Sequence, residues 1–101
     1  MELAGKTALV TGGSKGIGRG ICIKLASLGC DVAVNCNSDL AGAEQVAGAV
    51  RASGRKALAV RASVADSAQV RAMFDTVLSE FASLDILVNN AGTQVWAPLL
   101  E

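Results

Sequence analysis

The segment from Thr7 to Gly18, TALVTGGSKGIG, constrains the fold of this chain more than any other stretch. Its first five residues are uncharged and favour β-structure, which is typical of a central strand covered on both faces. A glycine-rich turn follows at once, and glycine tolerates positive φ and lets an anion approach the backbone. Apolar residues then recur at helical spacing, at Ile17, Ile21, Leu25 and Leu28. The segment therefore predicts a strand, a turn and a helix whose N-terminus forms an anion site.

The spacing of the glycines separates this turn from two other phosphate-binding turns. The dinucleotide fingerprint G-x-G-x-x-G fails, because Gly16 and Gly18 would require a third glycine at the position of Ile21. A P-loop fails as well, because Arg19 and Gly20 stand where its lysine and its magnesium-binding hydroxyl belong. The spacing that fits this turn is T-G-x-x-x-G-x-G.

Composition indicates one small domain without a strongly charged partner. The 101 residues are 51% hydrophobic but only 3% aromatic, so Ala, Val, Leu and Ile must build the core. Nine basic and nine acidic residues cancel, and we therefore expect neither nucleic acid nor a membrane as a partner. The sequence shows no signal peptide and no apolar run of about 20 residues, so we expect a cytoplasmic protein.

The cysteines do not form a metal-binding pattern. Cys22, Cys30 and Cys36 contain no C-x-x-C pair, and the chain has no histidine. A zinc site would lack its fourth ligand, and we expect no metal site. The three residues are interpreted as reduced thiols.

Strand-like segments recur along the chain and alternate with helical patterns. They lie near residues 7–11, 31–35, 56–61 and 84–89, and their starts, at about 6, 31, 56 and 85, recur every 25 to 29 residues, the period of a β-α unit. Right-handed crossovers then predict an α/β fold, a Rossmann-like doubly wound parallel sheet with strand order 3-2-1-4. In that order the ligand crevice lies beyond the carboxyl ends of strands 1 and 4.

The intervening helices have clear boundary signals and apolar faces. Gly29 should end the first helix, Ser38 or Asp39 should cap the second, and Asp66 or Ser67 should cap the third. The apolar positions of the second helix are Ala43, Val46, Ala47 and Val50, and those of the third are Val70, Met73, Phe74, Val77, Leu78 and Phe81.

A second motif closes the fourth predicted strand. The sequence there is Val88-Asn89-Asn90-Ala91-Gly92, and adjacent amides beside a glycine can bond both backbone and a ribose. Together, T-G-x-x-x-G-x-G and N-N-A-G resemble the two signatures of the short-chain dehydrogenase/reductase (SDR) family. The resemblance covers essentially all 101 residues. It implies that residues 1–101 form a single, partial NAD(P)-binding Rossmann domain, truncated after the fourth strand.

The resemblance also implies which residues bind the cofactor. The glycine turn would bind its pyrophosphate and ribose, and a position after the third strand would bind adenine. Ser63 stands where the family usually has an aspartate, so its contact with adenine would lack a charge. The implied cofactor-binding residues are Gly12, Ser14, Lys15, Gly16, Ile17, Gly18, Asn37, Ser63, Val64, Asn90 and Gly92.

Two positions predict that NADP(H) is preferred over NAD(H), with NAD(H) still possible. An NAD site places an acidic residue about 20 residues beyond the glycines, where it repels a 2′-phosphate. Here that distance reaches residues 36–38, which are not acidic, and Asp39 fits a helix cap better. Lys15 lies inside the turn and can pair with the 2′-phosphate, and Arg19 is a second candidate.

The family's chemistry also indicates what this chain lacks. SDR enzymes interconvert alcohols and carbonyls by hydride transfer, with a Tyr, a Lys and a Ser handling the alcohol proton. This sequence has no tyrosine and ends at Glu101, where the fourth crossover helix should begin. We therefore expect the cofactor-binding half of a homo-oligomeric enzyme that acts on a small-molecule alcohol or carbonyl. We assign no catalytic residue and expect the 101 residues alone to be inactive.

Two other functions remain compatible with the sequence. One is a non-catalytic nucleotide-binding or regulatory module of the same fold. The other is a nucleotide-dependent transferase built on a similar sheet.

Overall fold

A parallel sheet of four strands lies at the centre of the computed structural model, which describes residues 3–90. The strands are β1 (Thr7–Val10), β2 (Asp31–Cys36), β3 (Ala57–Arg61) and β4 (Ile86–Val88). The helices between them are α1 (Gly16–Ser27), α2 (Leu40–Ala52) and α3 (Ser67–Phe81). The strand order is β3-β2-β1-β4, which confirms the predicted doubly wound fold.

Helices cover the sheet on both faces. Alternate residues of β1 and β2, such as Val10 and Val34, pack against α1 and α2 on one face. The residues between them, Leu9 and Ala33, pack against α3 on the other face. The centres of β1 and β2 therefore need apolar side chains on both faces, which explains the apolar runs ALV and VAV.

The register of the sheet brings the carboxyl ends of its strands to one edge. Val10 pairs with Val34 of β2 and with Val88 of β4, and Cys36 of β2 pairs with Arg61 of β3. The loops that follow β1, β2, β3 and β4 therefore leave the sheet side by side. This edge is where a doubly wound sheet binds ligands.

Helix α1 buries a different face from the predicted apolar stripe. Its buried residues are Gly18, Cys22 and Ala26, whereas the side chain of Ile17 is 77% exposed. Ile21 and Leu25 contact the core but are only partly buried. The physical reason is the short distance between α1 and the sheet. Gly18, Cys22 and Ala26 have small side chains and recur at every fourth position, so the helix lies close to the sheet there, and the larger side chains lie on either side of this contact.

The caps of the second and third helices are confirmed. The carboxylate of Asp39 accepts a hydrogen bond from the backbone N–H of Gly42 at 3.0 Å. The carboxylate of Asp66 accepts from the N–H groups of Ala68 and Gln69 at 2.9 and 3.2 Å. Hydrogen bonds from the backbone and side chain of Gln69, and from Ala68, lower the pKa of Asp66 because they favour its charged form.

The apolar faces of these helices match the predictions with one exception. All four predicted positions of α2 are fully buried. In α3, Met73 and Val77 are buried, but Leu78 is 46% exposed. Strand β4 is also shorter than predicted, Ile86–Val88 in place of residues 84–89. Before it, the carboxylate of Asp85 accepts from the N–H of Thr7, and the N–H of Asp85 donates to the carbonyl of Thr7.

The described part of the chain contains neither a membrane-spanning helix nor a cluster of metal ligands. None of its helices is long and apolar enough to cross a membrane. Within residues 3–90 there is also no group of three or more His, Cys, Asp or Glu side chains that could hold a metal ion.

The cysteines provide a test of this fold. All three are buried; burial raises the pKa of Cys22 to about 12, and raises those of Cys30 and Cys36 as well. The thiolate is the reactive form of cysteine, so the three buried thiols of the folded 101-residue chain should react slowly with a disulfide reagent at about pH 8. We expect them to react at least about a hundredfold more slowly than the exposed thiol of a Ser79→Cys variant. Urea should make all of them reactive. Fast reaction without urea would contradict the fold.

Candidate functional site

The glycine turn joins β1 to α1 at the carboxyl edge of the sheet. The backbone N–H of Thr11 still donates to the carbonyl of Val88, at 3.0 Å, and so continues the pairing of β1 with β4. The chain then leaves the sheet at Gly12, whose φ is 62°, and enters α1 at Gly16, whose φ is also 62°. Both values favour glycine, which explains why the turn carries glycine at these two positions.

Two asparagine side chains hold Gly12 in place. Its N–H donates to the Oδ1 of Asn35 at 3.2 Å, and its carbonyl accepts from the Nδ2 of Asn90 at 3.1 Å. The next residue, Gly13, donates its N–H to the backbone carbonyl of Asn35 at 2.8 Å. The turn is therefore fixed from the β2 side and from the β4 side.

Close approach explains the glycine at position 18. A Cβ on Gly18 would lie 2.2 Å from the carbonyl oxygen of Gly12 and 2.6 Å from the Nδ2 of Asn90. A Cβ on Gly13 would lie 3.0 Å from the Sγ of Cys22, so that contact is tight as well. The glycines thus let the first turn of α1 lie directly against the turn that precedes it.

The N-terminus of α1 differs from those of the other two helices. Asp39 caps α2 and Asp66 caps α3, but the first residue before α1 is Lys15, whose side chain makes no capping hydrogen bond. The first turn of α1 contains no acidic residue. Lys15, Gly16 and Ile17 are exposed. The positive end of the α1 dipole and its free N–H groups therefore favour an anion here.

A cleft of about 250 Å³ opens beside the glycine turn. Its floor and walls come from the ends of β1, β2 and β3. The lining residues are Gly12, Asn35, Asn37, Ala62, Ser63, Val64 and Ala65.

Ser63 has its position fixed by local hydrogen bonds. Its N–H donates to the side-chain carbonyl of Gln69 at 2.8 Å, and its hydroxyl accepts from the N–H of Ala65 at 3.2 Å. A hydroxyl that accepts one bond can still donate its proton. Ser63 can therefore offer a donor to a ligand in the cleft, but no charge.

The structure brings most of the predicted cofactor-binding residues to this edge. Gly12, Asn37, Ser63 and Val64 line the cleft. The predicted residues of positions 14–18 form the entry to α1, where Ser14 and Gly18 are buried. Asn90 bonds Gly12, and Gly92 lies outside the described residues.

Asn35 is a site residue that the sequence analysis missed. It lines the cleft and bonds the glycine turn, yet it was interpreted only as part of a strand. The signal was a polar residue near the end of the otherwise apolar run VAVNC, because a buried amide needs hydrogen-bond partners. The sequence did not indicate that those partners would be Gly12 and the end of β3.

Comparison with known proteins agrees with this geometry. A family model described as "short chain dehydrogenase" matches residues 6–101. The chain is 51% identical over 87 residues to the 3-oxoacyl-(acyl-carrier-protein) reductase FabG of Staphylococcus aureus, covering 86% of this chain and 35% of that protein. It is 43% identical over 97 residues to the hydroxynaphthalene reductase-like protein Arp2 of Metarhizium guizhouense, covering 96% of this chain and 36% of that protein.

Solved structures give the same result. A short-chain dehydrogenase from Burkholderia cenocepacia in complex with NADP superposes with a TM-score of 0.88 at 45% identity, over 98% of this chain and 40% of that one. A short-chain dehydrogenase/reductase from Serratia marcescens superposes with a TM-score of 0.85 at 46% identity, over 89% of this chain and 37% of that one. The chain therefore spans well under half the length of these relatives.

Two glycines of α1 provide a matched test of the close contact. Gly18→Ala should lower the free energy of unfolding by about 1–3 kcal/mol, because its Cβ would overlap the carbonyl of Gly12. Gly20→Ala should raise it by about 0.5–1 kcal/mol, since a Cβ there meets nothing within 4 Å and alanine favours the helix. Urea unfolding followed by circular dichroism measures both. Equal stability of the two variants would contradict the packing described.

Proposed function

The chain belongs to the short-chain dehydrogenase family, and on that basis we propose that it is the cofactor-binding half of an NADP(H)-dependent oxidoreductase. The complete enzyme would interconvert a small-molecule alcohol and a carbonyl by hydride transfer, as a homo-oligomer in the cytoplasm. The observation that carries this proposal is the N-terminus of α1, which has neither a side-chain cap nor an acidic residue in its first turn and follows the glycine turn beside the cleft.

The residues around this helix end fit a pyrophosphate. Exposed N–H groups and the positive end of α1 favour a doubly charged anion, and the side chain of Lys15 is left to pair with the 2′-phosphate of the adjoining ribose. The absence of a Cβ at Gly18 keeps the turn and the helix in contact. We propose that Gly12 and residues 14–18 bind the pyrophosphate and its adjoining ribose.

The cleft fits the adenosine end of the same cofactor. It combines apolar surface from Val64 with polar groups of Asn37 and Ser63. Such mixed lining suits a purine, which has apolar faces and polar edges. We propose that Ser63 and Val64 contact adenine and that Asn90 and Gly92 belong to the opposite side of the cofactor site.

The charges near the cleft favour a 2′-phosphate on the ribose. Asn37 and Ser38 are exposed and uncharged, and the carboxylate of Asp39 is engaged with the N–H of Gly42 at 3.0 Å. No described residue therefore places a free carboxylate directly after β2, where it would repel a phosphate. The superposed Burkholderia cenocepacia structure is a complex with NADP. NADP(H) is accordingly the preferred cofactor of this proposal, with NAD(H) as the weaker one.

In this proposal the chain binds and orients the cofactor. The nicotinamide, when bound, supplies or accepts the hydride. The groups that would exchange the alcohol proton are not assigned to any of the 101 residues, since the sequence contains no tyrosine. The contribution of these residues is therefore to hold the pyrophosphate, the adenosine and the 2′-phosphate in one orientation.

Substitution of Lys15 tests the preference for NADP⁺. A charge-assisted hydrogen bond to phosphate contributes about 1.5–3 kcal/mol, so Lys15→Ala should weaken NADP⁺ binding about tenfold or more and leave NAD⁺ binding nearly unchanged. Isothermal titration calorimetry on the 101-residue chain measures both cofactors. Lys24→Ala is the matched control, because Lys24 is exposed in the last turn of the same helix, and it should change neither affinity.

An added carboxylate tests the same preference from the opposite direction. Asn37→Asp places a negative charge at an exposed position of the cleft and should weaken NADP⁺ but not NAD⁺. Ser79→Asp, at an exposed position of α3, controls for added charge elsewhere. Equal effects of Lys15→Ala on both cofactors, or a wild type that favours NAD⁺, would contradict the assignment.

A further inference from the structure

Asn35 is a buried amide in a strand that is otherwise apolar at its centre. It is 1% exposed, and its neighbours Val34 and Cys36 belong to the apolar core. Burial of an unbonded amide is unfavourable, so such a residue needs a full set of hydrogen-bond partners.

The side chain of Asn35 has partners on both sides of β2. Its Oδ1 accepts from the N–H of Gly12 at 3.2 Å. Its Nδ2 lies within hydrogen-bond distance of three carbonyl oxygens, those of Cys36, Val60 and Ala62, at 3.3, 3.3 and 3.2 Å. One side chain therefore connects the glycine turn after β1 with the end of β3.

These contacts leave the Asn35 amide little capacity to bind a ligand directly. An amide nitrogen has two protons, and here both are directed to protein carbonyls. Asn35 nevertheless lines the cleft, between Gly12 on one wall and Ala62 and Ser63 on the other. Its effect on a bound cofactor must therefore act through the two walls that it connects.

We propose that Asn35 is a positioning residue that sets the separation and orientation of the pyrophosphate-binding turn and the adenine-binding wall. This inference rests on the proposed function, because it concerns how the same cofactor site is formed. A bidentate amide at position 35 satisfies the N–H of Gly12 and the carbonyls of β3 together. A valine side chain can form none of these hydrogen bonds, and a threonine hydroxyl can form only some of them.

The test compares Asn35 variants with a variant of similar stability that leaves the cleft intact. Asn35→Val removes the amide, Asn35→Thr keeps one hydroxyl, and Val46→Ala destabilises the packing of α2 at a residue that does not line the cleft. Isothermal titration calorimetry gives the NADP⁺ affinity of each 101-residue chain, and urea unfolding gives its stability. We expect Asn35→Val to bind NADP⁺ about tenfold or more weakly, which corresponds to about 1.4 kcal/mol, and Val46→Ala to bind within about twofold of wild type.

Amide hydrogen exchange adds a readout that does not need the cofactor. The N–H of Gly12 should exchange at least about tenfold faster in Asn35→Val, while that of Leu9 in β1 should change no more than it does in Val46→Ala. Asn35→Thr should restore part of both the affinity and the protection. If Asn35→Val does not fold, the same comparison between Asn35→Thr and Val46→Ala decides the question.

The outcomes separate this inference from the proposed function. Unchanged affinity and unchanged Gly12 exchange in the Asn35 variants overturn the inference alone, as does an equal loss of affinity in Val46→Ala. A wild-type chain that binds neither NADP⁺ nor NAD⁺ overturns the proposed function and the inference with it.

Discussion

The carboxyl edge of the sheet depends on two side-chain amides that continue the hydrogen bonding of the sheet after its strands end. At the carboxyl ends of β1 and β4, a backbone bond joins the N–H of Thr11 to the carbonyl of Val88. One residue further, the side chain of Asn90 bonds the carbonyl of Gly12, and the side chain of Asn35 bonds its N–H. Parallel strands leave backbone groups without ladder partners at their ends, and buried groups of that kind must be satisfied. The amides meet this need and hold the turn in one conformation.

The distribution of caps determines where an anion can bind at this edge. All three helices start beside the carboxyl ends of the strands, so each directs the positive end of its dipole there. Aspartates occupy the N-cap positions of α2 and α3, where their carboxylates accept hydrogen bonds from the first N–H groups of each helix. Helix α1 has Lys15 at its N-cap position, and the Lys15 side chain forms no capping hydrogen bond. Anion binding is therefore favoured at α1 and disfavoured at the other two.

The sequence alone predicted the helix caps and the buried face of α2, because these follow from local periodicity and local hydrogen bonding. It also predicted the strand order, because right-handed crossovers restrict how alternating strands and helices can be arranged. It failed for the buried face of α1, since hydrophobic periodicity selects large side chains such as Ile17, whereas close packing on the sheet selects Gly18 and Cys22. It missed Asn35 because the partners of that amide are distant in sequence and become neighbours only through the strand order. The predicted role of Gly92 lies outside the described residues.

In the proposed cofactor site, the glycine turn and the end of β3 together bind the adenosine and pyrophosphate of NADP⁺. A titration of the isotope-labelled 101-residue chain with NADP⁺, followed by amide chemical shifts, tests this claim residue by residue. We expect the largest shift changes at residues 12–18 and at Ser63 and Val64, with little change at Lys56 and Asp85 on the opposite edge. Changes concentrated at that opposite edge, or no changes at saturating NADP⁺, would contradict it.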